Sequence, residues 1–150
     1  MSNILPWYVF ILRLFVEAPM YVLMAYAINK KKIVLKDYII SSLIMICIVI
    51  TSKSLPLSIG FPQILFLLFG SFTLVYINKL NIIKSIISNL ISIIITISLE
   101  LLVIYLLNFI NFSFIEDQML LNTIYSIPPL FFLSIIVILF YNFRLKEKNH

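Results

Sequence analysis

The chain has two glycines, one cysteine and one histidine in 150 residues, and each scarcity closes a route. A phosphate-binding loop needs its glycines clustered so that backbone amides can cradle the anion, and Gly60 and Gly70 stand ten positions apart. The lone Cys47 excludes an internal disulfide and leaves the redox compartment open. A cysteine nucleophile needs a histidine within reach, yet Cys47 lies in an apolar stretch and His150 ends the chain. Cys47 is therefore expected to be a small packed apolar residue. No His, Cys, Asp and Glu spacing matches a metal site. Neither catalysis nor a cofactor is expected.

Charge is scarce as well. Only 11% of residues are charged and 63% are hydrophobic, with a mean hydropathy of +1.14. A soluble domain carries about 25% charged residues, and a soluble chain of this size could not hide so much apolar surface, whereas lipid can cover it. The composition points to an all-α polytopic membrane helix bundle in the cell membrane, one domain over residues 1–150, with the lipid bilayer as its first partner. The net charge of +5 invites a nucleic-acid reading. However, the lysines cluster between apolar stretches rather than on one soluble face, so no nucleic acid is expected.

Five spans can be drawn, at about 4–28, 36–52, 61–77, 82–107 and 119–141. The first is too long for a cleaved signal peptide and lacks a basic leader, so it is expected to remain as a span. It holds Arg13 and Glu17 one turn apart. Two such charges cost about 6 kcal/mol on an insertion scale, and the twelve Leu, Ile, Val and Phe residues of this span return about the same. Pairing within the helix relieves part of that cost. Pro19 follows as a candidate kink. Pro56, Gly60 and Pro62 mark a turn before the third span, and Gly70 with Ser71 offers a small-residue contact point inside it. Pro128 and Pro129 interrupt the fifth span, as a packed kink or a moving hinge.

The connections alternate in charge. Counting Lys and Arg, the N-terminus has none, the first connection four, the second one, the third two, the fourth none and the tail three. The fourth carries Glu116 and Asp117 instead. By the positive-inside rule the basic connections face the cytoplasm, which puts the N-terminus outside and the C-terminus inside. Depth follows at about 1.5 Å per residue. Arg13 lies roughly 14 Å below the outer end of the first span, and Glu100 roughly 10 Å below the same end of the fourth. A guanidinium can bridge two carboxylates, so Arg13 is expected to pair with Glu17, Glu100 or both.

The fourth span carries the clearest pattern. Ser85, Asn89, Ser92, Thr96 and Glu100 follow at spacings of four, three, four and four, which places them on one helix face. An ordered polar row ending in a carboxylate implies a face turned from lipid towards partner helices or a polar cavity. Arg13, Glu17, Ser92, Thr96 and Glu100 form the candidate intramembrane polar or ligand-binding cluster. The alternatives are structural ion pairing that fixes packing and a signal-sensing cluster open to the outer face. For Ser85, Asn89, Ser92 and Thr96 the choice is between helix–helix hydrogen bonds and direct ligand contact.

The order of features resembles the multi-pass N-terminal sensor region of peptide-responsive histidine kinases of the accessory-gene-regulator type. The stretches that carry it are FILRLFVEAPMYVLMAYAI with Glu17, KKKIVLKDYIISSLI, SLPLSIGFPQILFLL, and NIIKSIISNLISIIITISLELL with Lys84 and Glu100. The resemblance implies quorum sensing in a low-GC Gram-positive bacterium. On that reading, an input module takes a peptide or other extracellular cue and relays it through a two-component system to a cytoplasmic or membrane kinase partner. No phosphoacceptor-histidine helix or ATP-binding domain stands within these residues. The chain is thus expected to be a stand-alone or truncated relative, or one acting through a separate partner or a homo-oligomer. Two other readings remain open: a small-molecule-binding membrane subunit of a transporter, and a purely structural membrane protein.

Overall fold

In lipid every backbone amide and carbonyl must find its partner within the protein, and a helix achieves this within one segment. The computed structural model describes residues 7–54, 61–109 and 118–148. They form five helices, α1 (Trp7–Ile28), α2 (Leu35–Ser54), α3 (Phe61–Tyr76), α4 (Ile82–Phe109) and α5 (Gln118–Lys148), with no strand among the described residues. Isoleucine-rich stretches such as α4 have modest intrinsic helix propensity. The need to satisfy the backbone away from water overrides that preference.

Four of the helices are long and apolar enough to cross a membrane, over Tyr8–Ile28, Leu35–Ser52, Ile82–Leu106 and Ile127–Glu147. The fifth, α3, has 16 residues, about 24 Å of rise against a hydrocarbon core of about 30 Å. At α2, α3 and α4 the helix bounds lie within two residues of the drawn spans, the start of the first drawn span lies outside the described residues, and α5 differs. It stays helical through Pro128 and Pro129 and continues to Lys148 instead of ending near Tyr141. The extra turns bring Arg144 to 2.9 Å from Glu147, and Glu147 to 3.0 Å from Lys30. The Arg144 guanidinium also stands 5.4 Å from the Phe140 ring centre. The turn around Pro56 and Gly60, the acidic connection with Glu116 and Asp117, and His150 lie outside the described residues.

The sidedness of the helices is inverted relative to a soluble bundle. Ile87, Leu90, Ile94, Ile97, Leu101 and Leu102 of α4 are exposed, whereas Ser85, Ser88, Asn89, Ser92 and Thr96 are buried. Buried hydroxyls turn back onto their own helices: Ser42 donates to the Tyr38 carbonyl at 2.7 Å, Ser52 to Ile48 at 2.6 Å and Thr73 to Phe69 at 2.9 Å. This i−4 bonding lets a serine enter an apolar interior without a partner helix.

Helix α1 is central. It packs on α2, α4 and α5, and α3 closes the ring between α2 and α4. Every residue from Tyr21 to Ala27 is buried. Cys47, expected to be packed, is exposed on the outer side of α2. The gap α2 leaves beside α3 puts its thiol in an apolar groove with Ile44 and Phe69.

The basic connections meet at one end of the bundle. Lys31 Nζ donates to the Asn78 carbonyl at 2.6 Å, Asn81 N donates to Asn29 Oδ1 at 3.2 Å, and Ile33 N donates to Tyr141 Oη at 3.2 Å. With Lys30–Glu147, these contacts tie the first and third connections to the end of α5, as alternating helix directions require. Helix ends here dispense with glycine. Lys30 has φ 51°, and the amides of Lys30 and Lys31 bond the carbonyls of Ala27 and Tyr26, both at 3.1 Å, which is a Schellman cap. Asn81 Oδ1 accepts from the amides of Ile83 and Lys84 at 3.0 and 3.3 Å, capping the start of α4.

Candidate intramembrane charge site

On α1, Arg13 and Glu17 stand one turn apart, and Arg13 Nε donates to Glu17 Oε1 at 2.5 Å. On the antiparallel α4, Glu100 reaches the same guanidinium, with Arg13 Nη2 donating to Glu100 Oε1. The planar fork of arginine suits this bridge, because separate N–H groups point at separate carboxylates. The depth arithmetic of the sequence and the packing thus agree. The side chains are 22%, 13% and 31% exposed for Arg13, Glu17 and Glu100, so all three belong to the bundle interior and its margin rather than to a lipid-facing surface.

One turn deeper the same seam repeats. Tyr21 follows Glu17 by four residues and Thr96 precedes Glu100 by four, and Tyr21 Oη lies 3.0 Å from Thr96 Oγ1. Thr96 also donates to the Ser92 carbonyl at 2.9 Å. Ser92 is buried, and its hydroxyl has no partner among the described residues. On the side facing α3, Asn89 Nδ2 donates to Ser71 Oγ at 3.1 Å. Gly70 makes room for this contact, since a Cβ there would meet Asn89 Nδ2 at 3.3 Å. The polar row of α4 therefore divides. Asn89 and Thr96 bond other helices, whereas Ser85 donates to the Asn81 carbonyl in its own capping turn.

A cavity of about 320 Å³ opens beside the charges. Arg13, Glu17, Tyr21 and Phe66 line it with Thr96 and Glu100, so four of the five expected cluster residues share it. Ser92 does not line it. Ser52 near the end of α2 and Gln63 in the first turn of α3 complete its polar wall. Those helix ends place the cavity at the end of the bundle opposite the basic connections. Tyr21, Phe66, Ser52 and Gln63 were not among the expected site residues. The signal for Tyr21 was present, because Arg13, Glu17 and Tyr21 repeat every four residues. Phe66 meets the Tyr21 ring edge-on at 5.3 Å, a contact that depends on how α3 is turned.

Among the described residues no three His, Cys, Asp or Glu side chains come together to hold a metal ion. What the site can do is bind: it offers a guanidinium, two carboxylates, three hydroxyls and aromatic surface around a recess of small-molecule size. No family model, curated protein or solved structure matches the chain. Fold and site define a polytopic helical membrane protein with an ion-paired cluster inside the bundle.

Proposed function

We propose that the chain is a receptor-like input module of the cell membrane, taking a cue into the Arg13–Glu17–Glu100 cavity and relaying it to a cytoplasmic or membrane kinase partner. The observation that carries this reading is the charged cavity itself, at the end of the bundle opposite the lysine-rich first and third connections. Structural pairing alone does not call for an adjoining recess. By the positive-inside rule the basic end faces the cytoplasm, so the cavity faces outward and the N-terminus lies outside. The opposite end is knitted shut by the Lys31–Asn78, Asn81–Asn29 and Ile33–Tyr141 contacts, which favours relay over passage. Helix shifts of an ångström or two suffice to carry such a signal. The resemblance to peptide-responsive kinase sensors supplies the kinase.

Cross-linking in cells should capture a second membrane or kinase protein, and Glu100→Gln should shift the transcripts that respond to it while the variant still inserts. Recovery of lipid and the chain alone, with no transcript moved by Glu100→Gln, refutes the reading. Orientation is tested separately with a cysteine at Lys146 in a Cys47→Ser background. It should label with an impermeant maleimide only after cells are opened, and labelling of intact cells would invert the bundle.

A further inference from the structure

The charges lining the cavity do not balance. Among the described lining residues one guanidinium faces two carboxylates, with no other Lys, Arg or His. These described residues carry a formal net charge of one negative unit in a setting where lipid and apolar side chains screen poorly. Arg13 spends its Nε on Glu17 and its Nη2 on Glu100. An anionic ligand approaching the remaining guanidinium N–H groups would meet the excess carboxylate charge. A divalent metal is disfavoured too, because the guanidinium sits between the carboxylates and keeps them from closing on one ion.

A single positive charge completes the set. Glu100 is the more exposed of the two carboxylates, at 31%, and Arg13 is its one partner among the described residues, so it has room to accept from an ammonium group. Tyr21 and Phe66 line the same cavity, and aromatic faces attract cations through their quadrupole. The volume of about 320 Å³ lies at the low end of the range of roughly 300–1,000 Å³ for small-molecule sites. A compact molecule fits, whereas a peptide of several residues does not.

We propose that the ligand of this cavity is a small organic monocation, an amine or quaternary ammonium head on a compact apolar body. The proposal deepens the sensing reading and rests on it for its biological role, but binding is measured on the purified full chain without any partner. The probe is benzyltrimethylammonium, set against benzyl alcohol and benzoate as neutral and anionic counterparts, by equilibrium dialysis in detergent at low salt. The cation should bind saturably and at least tenfold more tightly than either counterpart. Glu100→Gln should weaken it at least tenfold.

Because Glu100→Gln disturbs a packed ion pair, a second pair of variants acts from an exposed wall position. Gln63→Glu should tighten binding severalfold and Gln63→Lys should weaken it at least tenfold. Equal affinity for the cation in both Gln63 variants would place the site elsewhere and overturn the proposal. Tighter binding of benzoate would overturn the ligand class and leave the sensing reading standing. Cation binding as expected, with no partner captured and no transcript responding in cells, would leave the ligand class standing and remove the sensing reading.

Discussion

Replacing Arg13 with Met tests whether the three charges act as one unit. The substitution keeps an unbranched stem but removes the guanidinium, leaving Glu17 and Glu100 only 13% and 31% exposed with no cation between them. In water two charges at 4 Å interact by about 1 kcal/mol, and at the effective dielectric of a protein surface by about 4 kcal/mol. Much of that attraction offsets desolvation, so the pair is worth little net. Removing one member is another matter, because it strands the rest, at a cost of about 3–5 kcal/mol. A chain of this size loses about 2–4 °C of melting temperature per kcal/mol. Arg13→Met should therefore lower the thermal midpoint of the detergent-purified protein by roughly 6–20 °C, read by loss of the monodisperse chromatographic peak. The triple variant Arg13→Met, Glu17→Leu, Glu100→Leu removes the stranded charges together with their partner and should return to within a few degrees of the parent. If the triple variant falls as far as Arg13→Met, the three groups contribute independently and the cluster has no collective role. A drop of less than about 2 °C for Arg13→Met would mean that water already solvates the carboxylates.

Three smaller changes probe the packing and a turn of the bundle, all read by the same thermal midpoint. Gly70→Ala should destabilise by about 1 kcal/mol because the new methyl would crowd Asn89 Nδ2, itself held by Ser71; adding Asn89→Ala should turn that loss into a gain, since alanine is then simply the better helix former. Lys79, exposed and at φ 52°, should be relieved by Lys79→Gly, for a gain of about 1 kcal/mol; Lys79→Ala should give none. Tyr21→Phe should cost about 1 kcal/mol by deleting the bond to Thr96, and a cost indistinguishable from zero would mean that Thr96 is satisfied by the Ser92 carbonyl alone.

Polar residues made the bundle legible, and apolar ones did not. Asn89, Ser92 and Thr96 are rare enough in an isoleucine-rich helix that their spacing marks the buried face of α4 unaided. Arg13 and Glu100 could be matched because depth in a bilayer is nearly fixed by residue count from the span's end. Lipid, by contrast, is as apolar as leucine, so hydropathy cannot say which side of α2 faces a helix, and Cys47 falls on the outer side. The same indifference hid Phe66, whose place depends on the rotation of α3. The extension of α5 beyond Tyr141 brings Glu147 to Lys30, a contact between positions more than a hundred apart that hydropathy does not signal. Ser92 is buried with the rest of its face yet does not line the cavity, because a helix face is wider than the recess it borders.

Since apolar side chains slide past one another in lipid at little cost, polar contacts set the register of these helices. Between α1 and α4 that register is held by Arg13–Glu100 and Tyr21–Thr96, stacked one turn apart beside the cavity. The polar contacts described between α5 and the rest lie at its basic end, from Tyr141 to Ile33 and from Glu147 to Lys30. A ligand sharing Glu100 with Arg13 would therefore weaken the upper contact of the α1–α4 seam and leave α1 coupled to α5 through Lys30 and Glu147. It can move the helices only by as much as it binds the shifted arrangement more tightly than the resting one. Under the proposal of a cationic ligand, that difference would come from Glu100, whose carboxylate the ammonium group would share with Arg13 of α1. Displacement of α1 along α4 would reach the basic end through the buried stretch from Tyr21 to Ala27, which is too tightly packed to absorb it.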